Sequence, residues 1–302
     1  MEPSSPLKAM NVSNLEELSK ALIECQQIIS DLPKETSWLL SQNLHKYQDF
    51  WCYPNFLEGI ILAQKYFIPQ PTDIIICTLP KSGTTWLKAL CFTIFRRSQH
   101  SGGSSINPLL TNMPHDIVPF IEFLYCKGRD SQNPLLSTHV PYASLPESIV
   151  KCSTCKIIYM CRDPKDVFVS LWHFNNKSLD TDVLSWEEAF DKFCTGLSAG
   201  GPFWDNILGY WKASLENPEK ILFLKYEDLQ NDTLFYVKRI AEFMGCPFSV
   251  EEERQGIVQN IVNFCSFESL SNLEVNKRNK VGNEIPFKVE NNAFFRKGKI
   301  GD

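Results

Sequence analysis

Short apolar runs alternate with stretches of helical period along most of the chain. Asp73–Thr78 is a β-rich apolar run, and beyond it Trp86, Leu90 and Ile94 recur every fourth residue, the spacing of one helix face. Strand, tight turn and helix are predicted there. In Lys156–Cys161 the pattern repeats: Arg162-Asp163-Pro164 breaks the run, and Pro164 suits the first turn of a helix reaching about Phe174. Pro134–His139 and Lys220–Tyr226 read as two more strands. Ser185-Trp186-Glu187-Glu188 fits a capping box, with Trp186, Ala189, Phe190, Phe193, Cys194 and Leu197 on one face. A further helix is expected with Leu234, Val237, Ile240, Ala241 and Met244 inward. Strands alternating with helices predict βαβ units, hence an α/β fold: one domain with a central parallel sheet flanked by helices. Ligands of such sheets bind at the carboxyl ends of the strands, where Pro80–Trp86 and Arg162–Asp163 both fall.

Composition narrows this picture. With 302 residues, 43% of them hydrophobic, the chain can bury a large core, and one domain is the expectation. Thirty-five acidic residues against 30 basic ones give a formal charge of -5, which argues against a nucleic-acid partner and makes any phosphate site local. Residues Met1 to Met10 lack a basic stretch followed by an apolar run, and nothing approaches the roughly 20 apolar residues of a membrane span. A cytoplasmic protein without a membrane partner is expected. Eleven cysteines in apolar surroundings suit buried reduced thiols, and the lone pair Cys152 and Cys155 lacks the second pair a zinc ribbon needs. Ser101–Ser105 reads as a surface loop.

The main chemical signal is Pro80-Lys81-Ser82-Gly83-Thr84-Thr85-Trp86. Gly83 permits close approach of a ligand, while Ser82, Thr84 and Thr85 bring hydroxyls and amides to a helix N-terminus that favours anions. Lys81 adds a mobile positive charge, and Trp86 an aromatic face on which a base could stack. A Walker loop places lysine after its second glycine; here lysine precedes Gly83, and the position five residues ahead of Gly83 is Thr78. A P-loop-like but shorter phosphate-binding loop follows, with no metal implied.

This loop, together with Phe294-Phe295-Arg296-Lys297-Gly298-Lys299-Ile300-Gly301-Asp302, resembles the paired signatures of the cytosolic sulfotransferases, closest to the plant soluble type. Tyr159–Ser170 and Tyr226-Glu227-Asp228-Leu229 are similar to two further family segments, so the likeness covers nearly the whole chain. It implies transfer of a sulfonate group from 3′-phosphoadenosine 5′-phosphosulfate (PAPS) to an acceptor hydroxyl, leaving 3′,5′-bisphosphoadenosine (PAP). By the resemblance, Lys81, Ser82, Gly83, Thr84 and Thr85 hold the 5′-phosphate. Arg162, Ser170, Arg296, Lys297 and Gly298 hold the 3′-phosphate, and Trp86, Trp204 and Phe267 lie near the adenine. An arginine at a strand end and a serine two helical turns later can converge on one group; a salt bridge to a nearby carboxylate is the competing reading of Arg162.

The acceptor hydroxyl must lose a proton as it attacks sulfur, and histidine suits that task near neutral pH. His139 ends a strand-like segment on the ligand edge, and the resemblance makes it the general base, with Lys81 neutralising charge on the departing phosphate. His173 reads as a core histidine, whereas His45, His100 and His115 lie in segments with no other chemistry. Animal members carry a lysine two residues before this histidine; here Ser137 stands, so a cationic contact from that position is absent. Members also continue through a tryptophan and a further segment, so the chain ending at Asp302 is expected to be a C-terminally shortened form, monomeric or weakly dimeric, with residues 1–45 as a helical extension. Phe120, Phe123 and Tyr125 are compatible with a pocket for a flat phenol, although aromatic stripes are more often core. Likeness to the plant type implies a small hydroxylated acceptor, a flavonoid or other phenolic first, then a brassinosteroid, hydroxyjasmonate or desulfoglucosinolate. A P-loop nucleotide kinase and an inactive nucleotide-binding protein remain as alternatives.

Overall fold

The computed structural model describes residues 8, 10, 12–38, 42–99, 107–130, 132–178, 184–277 and 290–301. The expected loop Ser101–Ser105, His100 and Asp302 lie outside the described residues. Among the described residues seven strands are present: β1 (Lys34–Thr36), β2 (Asn43–Tyr47), β3 (Phe50–Cys52), β4 (Ile74–Thr78), β5 (Leu135–Thr138), β6 (Lys156–Cys161) and β7 (Ile221–Lys225). The first three pair antiparallel, and the others form a parallel sheet in the order β5-β4-β6-β7. The helices of nine residues or more are α1 (Leu15–Asp31), α2 (Pro54–Tyr66), α3 (Thr84–Gln99), α4 (Pro164–Ser178), α5 (Trp186–Cys194), α6 (Phe203–Glu216) and α7 (Thr233–Phe243). No helix among the described residues is long and apolar enough to cross a membrane.

All five residues of β4 are buried, as a strand covered on both faces requires. From β4 the chain passes to β5 on one side of the sheet and to β6 on the other, so the strand order reverses between β4 and β6. A crevice at the carboxyl ends of two such strands is the ligand position of doubly wound folds. The loop at Pro80–Trp86 leaves β4, and Arg162 follows β6.

Contacts divide the chain into two compact units of interleaved segments. The first comprises Met1–Pro80, Pro119–Tyr159 and Asp180–Phe223; the second comprises Lys81–Val118, Met160–Leu179 and Leu224–Asp302. In the first, Tyr159 and Tyr210 stack at 4.1 Å, and the Tyr210 hydroxyl donates to the Val140 carbonyl at 2.7 Å. In the second, Leu87, Leu90, Cys91 and Ile94 of α3 are fully buried, as are Val237, Ile240 and Ala241 of the neighbouring α7.

Three expectations are corrected. The stretch expected to be helical to residue 45 is helix over Leu15–Asp31 and strand from Lys34. Pro33 disfavours the helical region for Leu32, whose ψ of 146° ends α1. On α5 the capping box forms, with Ser185 Oγ accepting from the Glu188 amide, yet Trp186, Phe190 and Cys194 are exposed and Ala189 and Phe193 carry the burial. Only the centre line of that apolar face is covered. The same holds on α7, where Leu234 is exposed. None of the eleven cysteines is in a disulfide.

Candidate functional site

The turn from β4 into α3 is wound through two left-handed residues, Lys81 at φ 67° and Gly83 at φ 93°. A Cβ at Gly83 would stand 2.8 Å from both Met160 Cε and the Tyr226 ring, so only glycine fits without displacing them. Lysine at positive φ is uncommon and strained, and such strain persists where surrounding structure enforces it. The enforced geometry lays Lys81 Nζ 3.9 Å from the centroid of Phe174 and 5.5 Å from that of Phe294. Burial, then the positive charges of Arg296, Arg162 and Lys177, push the Lys81 pKa down to about 7. Beside it Ser82 is fully buried, and its Oγ has no hydrogen-bond partner among the described residues. Buried polar atoms are nearly always paired, so this one marks a place where a ligand is wanted.

Arg162 is buried after β6. The salt bridge weighed against ligand binding exists: Nη2 lies 3.2 Å from Asp166 Oδ2. It does not exhaust the guanidinium. Nη2 also donates to the Lys299 carbonyl at 2.8 Å, Nη1 reaches the Lys81 carbonyl at 3.4 Å, and Nε has no partner among the described residues. Its face covers Tyr226 at 4.5 Å, and Tyr226 in turn meets Trp86 edge-on at 5.5 Å. Tyr226 thus touches Gly83, Trp86 and Arg162 at once. From sequence, the segment Tyr226–Leu229 resembles a family stretch and predicts no site role for this tyrosine.

Ser170 is buried on α4, two turns beyond Arg162. Arg296 is half-buried and its pKa is lowered by burial and by Arg162, whereas Lys297 is exposed. Gly298 adopts φ 62°, and a Cβ there would fall 2.3 Å from the Phe267 ring, so this ring packs directly on the backbone. Gln230 Nε2 donates to the Gly298 carbonyl at 2.7 Å. The second unit therefore holds the loop from Lys81 through Trp86, Arg162, Ser170, Phe267 and Arg296–Gly298.

Two histidines depart from expectation. His173 is exposed rather than in the core, because α4 turns Val167, Phe168 and Leu171 inward instead. His115 sits within bonding distance of the phosphate-type loop: Nε2 is 2.9 Å from Thr85 Oγ1 and Nδ1 is 3.1 Å from Lys88 Nζ. Thr85 and Lys88 stand three apart on α3, hence on one face, and the short helix Pro114–Ile117 packs there. No local spacing in the sequence could reveal that pairing.

His139 and Trp204 belong to the first unit. His139 Nδ1 lies 2.7 Å from the Thr78 carbonyl, an acceptor only, so Nδ1 carries the proton and Nε2 is the lone-pair nitrogen. The buried Glu122 carboxylate accepts from the His139 amide at 3.1 Å and from Thr138 Oγ1 at 2.6 Å. Phe120 packs 4.9 Å from the His139 ring, and Phe120 and Phe123 are otherwise core. Ser137 is fully buried, donating to the Pro119 carbonyl at 3.1 Å. Trp204 is 54% exposed and heads a stripe on α6 with Leu208, Trp211 and Leu215.

Residues 71–302 match the sulfotransferase domain model. Cytosolic sulfotransferase 17 of Arabidopsis thaliana is 49% identical over 298 residues, covering 96% of this chain and 85% of that protein. Flavonol 4′-sulfotransferase of Flaveria chlorifolia is 48% identical, covering 91% and 87%. Among solved structures, a putative steroid sulphotransferase of Arabidopsis thaliana aligns with a TM-score of 0.68 at 45% identity, covering 86% of this chain and 89% of that one. A mouse sulfotransferase complexed with PAP aligns at 0.64 with 25% identity, covering 86% of each. The nucleotide-kinase alternative is set aside: the chain belongs to the sulfotransferase family.

Proposed function

We propose that this enzyme moves the sulfonate group of PAPS to a hydroxyl of a small organic acceptor, a flavonoid or other phenolic first. The observation that carries the donor assignment is the excess of positive charge at Lys81, Arg162 and Arg296 around a buried Ser82 hydroxyl without a partner. An anion fits there, and two separated phosphates match a loop at one end and the Arg162, Ser170 and Arg296–Gly298 group at the other. The PAP in the mouse relative supports the same nucleotide. Trp86, Phe267 and Trp204 are assigned to the adenine. The flavonol relatives support the acceptor class, and the relatives' cytosolic naming supports a cytosolic site of action.

When bound, PAPS supplies the sulfonate and a phosphate leaving group. The protein's part is to position and to move protons. His139 Nε2 takes the acceptor proton, with the Thr78 carbonyl holding the ring in the tautomer that can do so. Lys81 neutralises the charge growing on the departing phosphate oxygen; its depressed pKa means that it gains a proton as the anion arrives. Neither role draws on a metal ion.

The test is turnover with sulfur-labelled PAPS across a panel of flavonols, simple phenols, brassinosteroids, hydroxyjasmonates and desulfoglucosinolates. Sulfated flavonol with release of PAP is the expected result. Sulfation confined to a non-phenolic acceptor would overturn the acceptor assignment, and binding of PAP without any turnover would support the inactive alternative.

A further inference from the structure

We infer that Lys88 and His115 are positioning residues that aim the Thr85 hydroxyl at the nucleotide's phosphate. The inference rests on the reading of Lys81–Thr85 as the phosphate loop. Lys88 is fully buried on α3, one turn beyond Thr85. Its Nζ donates to the Val118 carbonyl at 2.9 Å and stands 3.1 Å from His115 Nδ1. An ammonium group can only donate, so His115 Nδ1 is the accepting nitrogen and the ring proton resides on Nε2. That nitrogen is 2.9 Å from Thr85 Oγ1, and the Nε2–H therefore donates to the hydroxyl oxygen.

The polarity of this chain matters for what Thr85 offers a ligand. With its oxygen accepting a hydrogen bond from His115, the hydroxyl turns its own hydrogen elsewhere, as a donor suited to an anion. Helical threonines otherwise tend to bond the carbonyl four residues back, which for Thr85 is that of Lys81. Arg162 Nη1 already lies 3.4 Å from that carbonyl. The imidazole is steadied by Phe294, 4.7 Å away between centroids, whose ring also faces Lys81 Nζ. Lys88 and His115, acting through Thr85, thus decide the direction of one hydroxyl offered to the nucleotide.

The experiment combines nitrogen-15 NMR of the imidazole with a double-mutant cycle for PAP binding by calorimetry. Near neutral pH, His115 is expected as the Nε2–H tautomer with Nδ1 unprotonated, with and without PAP. An Nδ1–H tautomer or an imidazolium overturns the inference. His115→Phe should weaken PAP by about tenfold, and by less than about twofold when added to Thr85→Val. Equal losses in both backgrounds mean that His115 only fills space, which also overturns it. Should His115→Phe fail to fold, Lys88→Met decides the matter: it must mix the two tautomers and weaken PAP only where Thr85 is present. Failure of the unaltered protein to bind PAP would defeat the phosphate-loop reading itself, an outcome distinct from a wrong tautomer in a protein that binds.

Discussion

The ends of β4 and β5 are built on opposite plans. After β4 the loop carries a strained lysine, a buried hydroxyl without a partner among the described residues and a group of like charges, all of them deficits in the protein taken alone. At the end of β5 the histidine is held at both backbone and ring: its amide by Glu122, its Nδ1 by the Thr78 carbonyl. On the proposed function, the difference separates a binding element from a catalytic one. A loop that captures a polyanion keeps some donors in reserve, whereas a base that presents one nitrogen is held through its amide and its other ring nitrogen.

Breaking the satisfied end should be the most damaging. His139→Ala is expected to lower kcat by roughly 10²–10⁴ while PAP affinity stays within about twofold, read by labelled-donor turnover and calorimetry. Turnover near the unaltered rate would remove His139 as the base. At the deficient end, Lys81→Met should weaken PAP by about 10–100-fold yet raise the melting temperature of the free protein, because it removes a charge its surroundings disfavour. A free protein that melts lower would contradict the account of Lys81.

The pKa of Lys81 sharpens the contrast through pH. It is depressed in the folded free protein, so the unfolded chain binds more protons between about pH 7 and the ordinary lysine value near 10.5. The penalty is fully present below about pH 7, and the free protein gains stability from this group as pH rises through that window. PAP affinity runs the other way, falling by up to about tenfold per pH unit there, since binding takes up a proton. Calorimetry in buffers of different ionisation enthalpy should register that uptake, and a buffer-independent heat would refute it. Smallest of the four, Glu122→Gln keeps the one oxygen that takes both donors but removes its charge; kcat should drop about threefold with KM unchanged. An altered KM instead would mean that Glu122 shapes acceptor binding.

What was legible in the sequence follows from the range of the forces involved. The all-buried run before Thr78, the proline at the start of α4 and the capping box at Ser185 and Glu188 are local signals, and each marks an element that forms. The antiparallel strands from Lys34 were not legible. Lys34–Thr36 is wholly exposed and β2 buries only Leu44, so no period of two stands out. Within the candidate site, Lys81 through Trp86 and Arg162 are marked by charge, glycine and position at strand ends, and Arg296–Gly298 by the family resemblance. Tyr226, Lys88 and His115 are not so marked, because their contacts join segments far apart in the chain, and a buried lysine on an apolar helix face leaves no mark in periodicity.

Arg162 has a consequence for how this enzyme can diversify. Its guanidinium ties together carbonyls 81 and 137 residues away from it in the chain, while Asp166 accepts from the Gly301 amide. A replacement there loosens three segments together, so the cost falls on the fold as well as on the ligand. The exposed apolar side chains of Leu208 and Leu215 on α6 make no such hydrogen bonds, so replacement there leaves those segments in place.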